Sequence, residues 1–156
     1  MAIIQNILRN LQGINEMGEK GLESLKQKLK NFEKALLSLE EILVKVKLQK
    51  DTEDFSVYRD STIKRFEYSL EVARKLMSKY IEYVDKKING QKLVLKQAFE
   101  FDLIEDDIWF TMIDDRNMTT HEYDEQIAMQ LLDSIYKYET VLRKFLEIMQ
   151  SKINEL

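Results

Sequence analysis

The sequence predicts an all-α fold, a bundle of long helices, on three observations. The first is punctuation: Gly13, Gly18 and Gly21 fall within the first 21 residues, Gly90 is the only later glycine, and the 156 residues contain no proline. Average usage would put about 12% Gly plus Pro in such a chain, and a sheet protein needs them at its turns where a bundle mostly does not. The second is periodicity, since three long stretches space their apolar residues alternately by three and four, as one face of a helix does. The third is the width of those faces: Leu37, Ile42, Leu76, Ile81 and Leu132 lie beside the seams and ask for a globular bundle, not a two-stranded coiled coil.

Taken in order, residues 1–21 form an N-terminal extension that reads as a short amphipathic helix (Ile3, Ile4, Ile7, Leu8, Leu11) on a glycine-containing hinge. Residues 22–156 form the bundle domain. Its first long helix carries the seam Leu22, Leu25, Leu29, Phe32, Leu36, Leu39, Leu43, Val46. The second carries Ile63, Phe66, Leu70, Ala73, Met77, Tyr80, Val84, with N-cap candidates at Asp51 to Asp54 and a C-cap at Asn89-Gly90. Looser helical spacing from Leu95 to Ile113 predicts two short helices, 92–102 and 106–117. The last long helix carries Ala128, Leu131, Ile135, Tyr138, Leu142, Phe145, Met149; Thr119-Thr120-His121-Glu122 fits a capping box ahead of it, and Asp124 is the competing cap.

Composition narrows the function. With 44% hydrophobic and 33% charged residues, one globular domain is expected and disorder is excluded. The absence of cysteine removes disulfides, thiolate metal sites and a cysteine nucleophile, and fits a reducing cytoplasm. The run Met1 to Leu11 is too short and polar to span a bilayer and lacks the features of a signal peptide, so a soluble, cytoplasmic protein without a membrane partner is expected. A net charge of −4 gives no global attraction to nucleic acid, but the charge is uneven: Lys20 to Lys50 holds eight Lys against four Glu, whereas Glu100 to Glu125 holds ten acids and one base, Arg116.

Two polar clusters can carry chemistry. His121, the single histidine, lies five residues after Arg116 and two before Tyr123, at a predicted junction between helices. A histidine near an arginine suffices for phosphodiester chemistry without a metal: the imidazole moves a proton from a ribose 2′-OH while the guanidinium forks onto non-bridging phosphate oxygens. The plainer alternative has Arg116 neutralising Asp114, Asp115 or Glu122, with His121 and Asn117 making local capping bonds. One histidine supplies one acid-base group where cleavage wants two, so a nuclease of this kind should be a two-fold dimer. The second cluster is Arg59-Asp60-Ser61-Thr62 with Arg65 and Glu67. Stepping back four residues from Ile63 lands on Arg59, a charge aimed at the bundle that needs a carboxylate partner from the acidic segment. Asp60 with Lys64 and Glu71 with Lys75 read as surface pairs. No cofactor or metal is indicated: a di-iron bundle needs Glu-x-x-His on two helices, and Met118 occupies that place before His121.

Arg59-Asp60-Ser61-Thr62-Ile63 with Arg65-Phe66-Glu67, then Trp109 followed by Arg116-Asn117-Met118-Thr119-Thr120-His121-Glu122-Tyr123-Asp124-Glu125, resembles the nucleotidyltransferase-substrate-binding family, within the HEPN superfamily that includes HepT-like toxins. The resemblance covers roughly residues 22 to 150. It implies an up-and-down four-helix bundle with short additional helices, a homodimer, and a minimal nucleotidyltransferase encoded nearby as partner. It implies further that Arg116 and His121 match the superfamily's R-x(4–6)-H motif, which in ribonuclease members forms a metal-independent RNA-cleaving site across the dimer interface. From the residues themselves, Asn117, Arg59 and Arg65 are the substrate-binding candidates beside it. Tyr123 would be where the partner attaches AMP, blocking RNA by bulk and negative charge. The older family label implies instead a non-catalytic subunit that helps a two-component nucleotidyltransferase hold its substrate.

Overall fold

The computed structural model describes residues 1–85, 94–121 and 124–156, with backbone alone for Val94, Thr120 and His121. Within them lie five helices: α1 (Ala2–Leu48), α2 (Phe55–Val84), α3 (Val94–Glu100), α4 (Ile108–His121) and α5 (Glu125–Asn154), and no strand. Asn89-Gly90, the expected cap of α2, lies outside the described residues.

The three seams are the core. Every residue of the α5 seam is buried, as is every α2 seam residue up to Tyr80, while Leu22 and Leu29 of α1 and Val84 of α2 are partly exposed. Ile42, Leu76, Ile81 and Leu132 are buried as their widening role requires, but Leu37 faces solvent. At the centre the Phe145 ring meets Phe32 edge-on at 5.4 Å and Trp109 at 5.1 Å, so α1, α4 and α5 converge on one aromatic cluster.

The direction of each helix follows from such contacts. Arg65 and Ser69 of α2 reach the backbone carbonyls of Ser38 and Ala35, and the end of α2 at Tyr83 lies beside Gly21, so α1 and α2 are antiparallel. Trp109 meets Phe145 and Asp115 meets Tyr138, so α4 runs against α5. The order up, down, up, down over α1, α2, α4 and α5 leaves α2 and α5 parallel, with their N-terminal ends together.

Three expectations about the helices change. The hinge near the glycines does not exist, because α1 is one helix of 47 residues passing through Gly13, Gly18 and Gly21. A helix tolerates each such glycine at about 1 kcal/mol. At Gly21 the small residue has a use, since a Cβ there would stand 3.2 Å from the Tyr83 ring. The second short helix also runs further than its expected end, to His121, so Arg116 to His121 is helical and not a turn. Thr119 does not cap α5; Asp124 does, accepting from the Ile127 N–H at 2.7 Å.

Among the described residues the helix ends lack glycine and use other devices. After α3, Leu103 N–H bonds to Ala98 C=O at 2.9 Å and Asp102 N–H to Phe99 C=O at 3.1 Å, with Asp102 at φ 57°. This is the left-handed ending usually given to glycine, here held by Asp102 and closed by the buried pair Ala98 and Leu103. Asp54 occupies the N-cap position of α2, without a side-chain cap bond.

Candidate functional site

The two polar clusters, about fifty residues apart in sequence, meet at one end of the bundle. Arg59 sits one helical turn before Ile63, so the seam carries it inward: it is 6% exposed. Its Nε lies 3.0 Å from Asp60 Oδ1 and its Nη1 3.5 Å from Glu125 Oε1 at the start of α5. The carboxylate expected from the acidic segment is thus Glu125. Thr62 beside it is buried and donates its hydroxyl to the Tyr58 carbonyl at 2.7 Å, which lets a polar residue occupy the helix interior.

One and a half turns further along α2, Glu67 binds α4. The buried Thr119 hydroxyl lies 3.0 Å from Glu67 Oε1 and 2.7 Å from the Arg116 carbonyl. Lys64 covers the other Glu67 oxygen at 3.2 Å, so Lys64 serves Glu67, and Asp60 serves Arg59. Glu71 makes the expected pair with Lys75 at 2.8 Å. Its carboxyl is held below the usual carboxylate range by the bond to Lys75 and that residue's charge, with Arg116 and Arg74 adding smaller pulls. Arg116 is thus within electrostatic reach of Glu71 on α2, and its Nη1 reaches Asn117 Oδ1 at 3.3 Å.

The opposite side of α4 is fixed to α5. The Tyr138 hydroxyl bonds the Asp115 carboxylate, and the Tyr138 ring stacks on Phe66 with centroids 5.6 Å apart. Burial first, and then the Asp115 carboxylate, push the phenol up to about 12, so it stays a hydrogen-bond donor at any physiological pH. A cleft of about 180 Å³ lined by Asp115, Met118, Ile127, Gln130, Leu131 and Ser134 opens beside this contact.

The structure thus pairs Arg59 with Glu125 at the start of α2 and α5, brings Glu67 to the Thr119 turn that follows Arg116 and Asn117 about two helical turns further along α2, and ends α4 on His121. The His121 side chain and Tyr123 lie outside the described residues. Arg65 stands apart: it donates to the Ser38 carbonyl at 2.9 Å and lines a separate groove between α1 and α2 with Asn31, Lys34, Ser61, Lys64 and Tyr68. The sequence reading missed the roles of Thr119, Asp115 and Tyr138. A phenol on a buried seam must find a partner for its hydroxyl, and that requirement was the available signal for Tyr138. Among the described residues no group of three His, Cys, Asp or Glu could hold a metal ion, and no helix is long and apolar enough to cross a membrane.

A helical bundle with polar contacts linking three of its helices defines a small all-α domain. The chain belongs to the family described as nucleotidyltransferase substrate binding protein like, which matches residues 27–151. It is similar in fold to a protein of Thermus thermophilus known from its crystal structure, with 27% identity and a TM-score of 0.52, over 74% of this chain and 98% of that one. No curated protein matches it.

Proposed function

We propose that this chain is the cytoplasmic partner subunit of a minimal nucleotidyltransferase, built on the HEPN pattern, and that it cleaves RNA without a metal across a two-fold pair of its own chains. The observation that supports the reading is the convergence of the two polar clusters. The Thr119 to Glu67 bond ties the Arg116 to His121 end of α4 to α2, and the Tyr138 to Asp115 bond ties α4 to α5. Preorganisation of this kind is what a phosphate-binding arginine needs.

In this mechanism Arg116, aided by Asn117, binds the non-bridging oxygens of the scissile phosphate. His121 takes the 2′-OH proton, the 2′-oxygen attacks phosphorus, and the 5′-oxygen leaves with a proton supplied by the partner subunit's His121. The products are a cyclic phosphate and a 5′-hydroxyl. Tyr123 is the acceptor through which the nucleotidyltransferase silences the site: its phenol oxygen attacks the α-phosphorus of ATP, pyrophosphate leaves, and AMP remains.

The test is RNA cleavage in EDTA by the purified chain and by His121→Ala with equal helix content. Activity lost in the variant supports the proposal, and equal activity in both overturns it. Arg116 is the one base among ten acids between Glu100 and Glu125, and that acidic segment favours a second reading, a non-catalytic subunit that holds the nucleotidyltransferase's substrate. That reading expects no cleavage by the free chain and a changed rate of nucleotidyl transfer when the chain is added to the partner.

A further inference from the structure

Residues 2–20 of α1 extend past the end of α2, where Tyr83 meets Gly21, as an exposed helical arm about 28 Å long at 1.5 Å per residue. Its apolar side chains are on one side. Ile3, Ile4, Ile7, Leu8, Leu11, Ile14 and Met17 are 53–76% exposed. At 100° per residue Ile4, Ile7, Leu11 and Ile14 point the same way as Leu22, Leu25, Leu29 and Phe32, the seam that α2 and α5 cover further along. The arm is therefore the uncovered continuation of the face by which α1 packs into the core.

We infer that this face is covered by the arm of a second copy of the chain, the two arms packing antiparallel. Three features of the arm fit that occupant. Seven large side chains exposed to this degree present apolar area comparable with the about 800 Å² that each partner brings to a standard interface, and two equal arms cover one another over their full length. The residues flanking the stripe are largely uncharged, Asn6, Asn10, Gln12 and Asn15, so two copies face each other without like-charge repulsion. A lipid surface fits poorly, because the arm carries Arg9 and Lys20 against Glu16 and Glu19 and lacks the cationic flank that draws amphipathic helices to membranes. The arm also precedes the matched family region, residues 27–151.

The antiparallel sense follows from the bundle. From Gly21 onward α2 and α5 occupy the same face of α1, so parallel arms would drive two bundles into one another, whereas antiparallel arms place them at opposite ends. Gly18 lies in the middle of the stripe with nothing within 4 Å of an added Cβ, leaving room for a large side chain of the second copy. The two-fold axis of this contact lies near residue 11, about 35 Å along the bundle from Arg116. It is distinct from any two-fold at the proposed nuclease site, and the inference does not rest on that site.

Sedimentation analysis of the full chain and of Leu11→Glu/Ile14→Glu is the test. The wild-type chain should have twice the mass of the variant, with the helical signal and unfolding midpoint of the bundle kept, whatever contact the variant retains. Equal masses would overturn the inference, as would wild-type flotation with phosphatidylserine vesicles that the variant loses. Because the chain has no cysteine, Ala2→Cys can carry a single spin label. The antiparallel arrangement expects a label separation of roughly 30 Å, and a separation below about 15 Å would overturn it.

Discussion

The Thr119 hydroxyl of α4 donates to the Glu67 carboxylate of α2 across 3.0 Å while lying 2.7 Å from the carbonyl of Arg116. One buried hydroxyl thus ties the helix carrying the candidate catalytic arginine to a helix whose contribution to the site lies fifty residues earlier. Thr119→Val removes the donor without changing the shape, and should destabilise the fold by about 1–2 kcal/mol in urea titration. Thr119→Ser should recover most of that loss.

Arg59 is buried, but its carboxylate partners are not: the Asp60 side chain is 48% exposed and that of Glu125 84%. Removing the guanidinium leaves no stranded charge, so the packed stem carries most of the stability. Arg59→Met should unfold within about 1 kcal/mol of wild type, and Arg59→Ala should lose about 2–3 kcal/mol. An equal large loss in both would show that the charge matters more than the packing.

Glu139 of α5 is pushed up to about 7 by burial first, then by hydrogen bonding to and charge repulsion from Glu40, with Arg143 pulling the other way. Arg143 also forms an ion pair with Glu40. A carboxyl raised in the fold is favourable when protonated, so its contribution is complete below about pH 4.5 and is lost as pH rises through about 7. Thermal unfolding of Glu139→Gln from pH 5 to 8 should therefore be flatter than wild type, with the variant gaining relative stability toward the alkaline end.

Phe145 touches Phe32 and Trp109 through edge-on ring contacts at the meeting point of three helices. Phe145→Ala should cost about 3–5 kcal/mol, and Phe145→Leu less than half of that, as read by denaturant midpoint.

The bundle was legible because its helices are long and their faces regular: a seam such as Ala128 to Met149 repeats often enough that local exceptions cannot hide it. Arg59 was legible for the same reason, since a charge on an apolar seam must be buried and must find a carboxylate. Leu37 was misread because nearby apolar residues do not say which edge of a stripe the neighbouring helices reach. The break expected near Gly13 to Gly21 failed because glycine lowers helix stability without forbidding the helix. The end of α4 was misplaced since Thr119-Thr120 suits a cap equally well, and its use was decided by Glu67, a partner sequence spacing does not locate. Local patterns identify faces, whereas pairings across helices depend on axial register.

The parallel course of α2 and α5 has an electrostatic consequence. Both helices start at the end where Arg59 meets Glu125, so the positive poles of two helix dipoles lie there together, while α4 brings its negative pole to the same region with Arg116 in its last two turns. The backbone itself thus sets a field across this end of the molecule. Substitutions of Asp60, Glu67 or Glu125 change the charges standing in that field and leave its source in place.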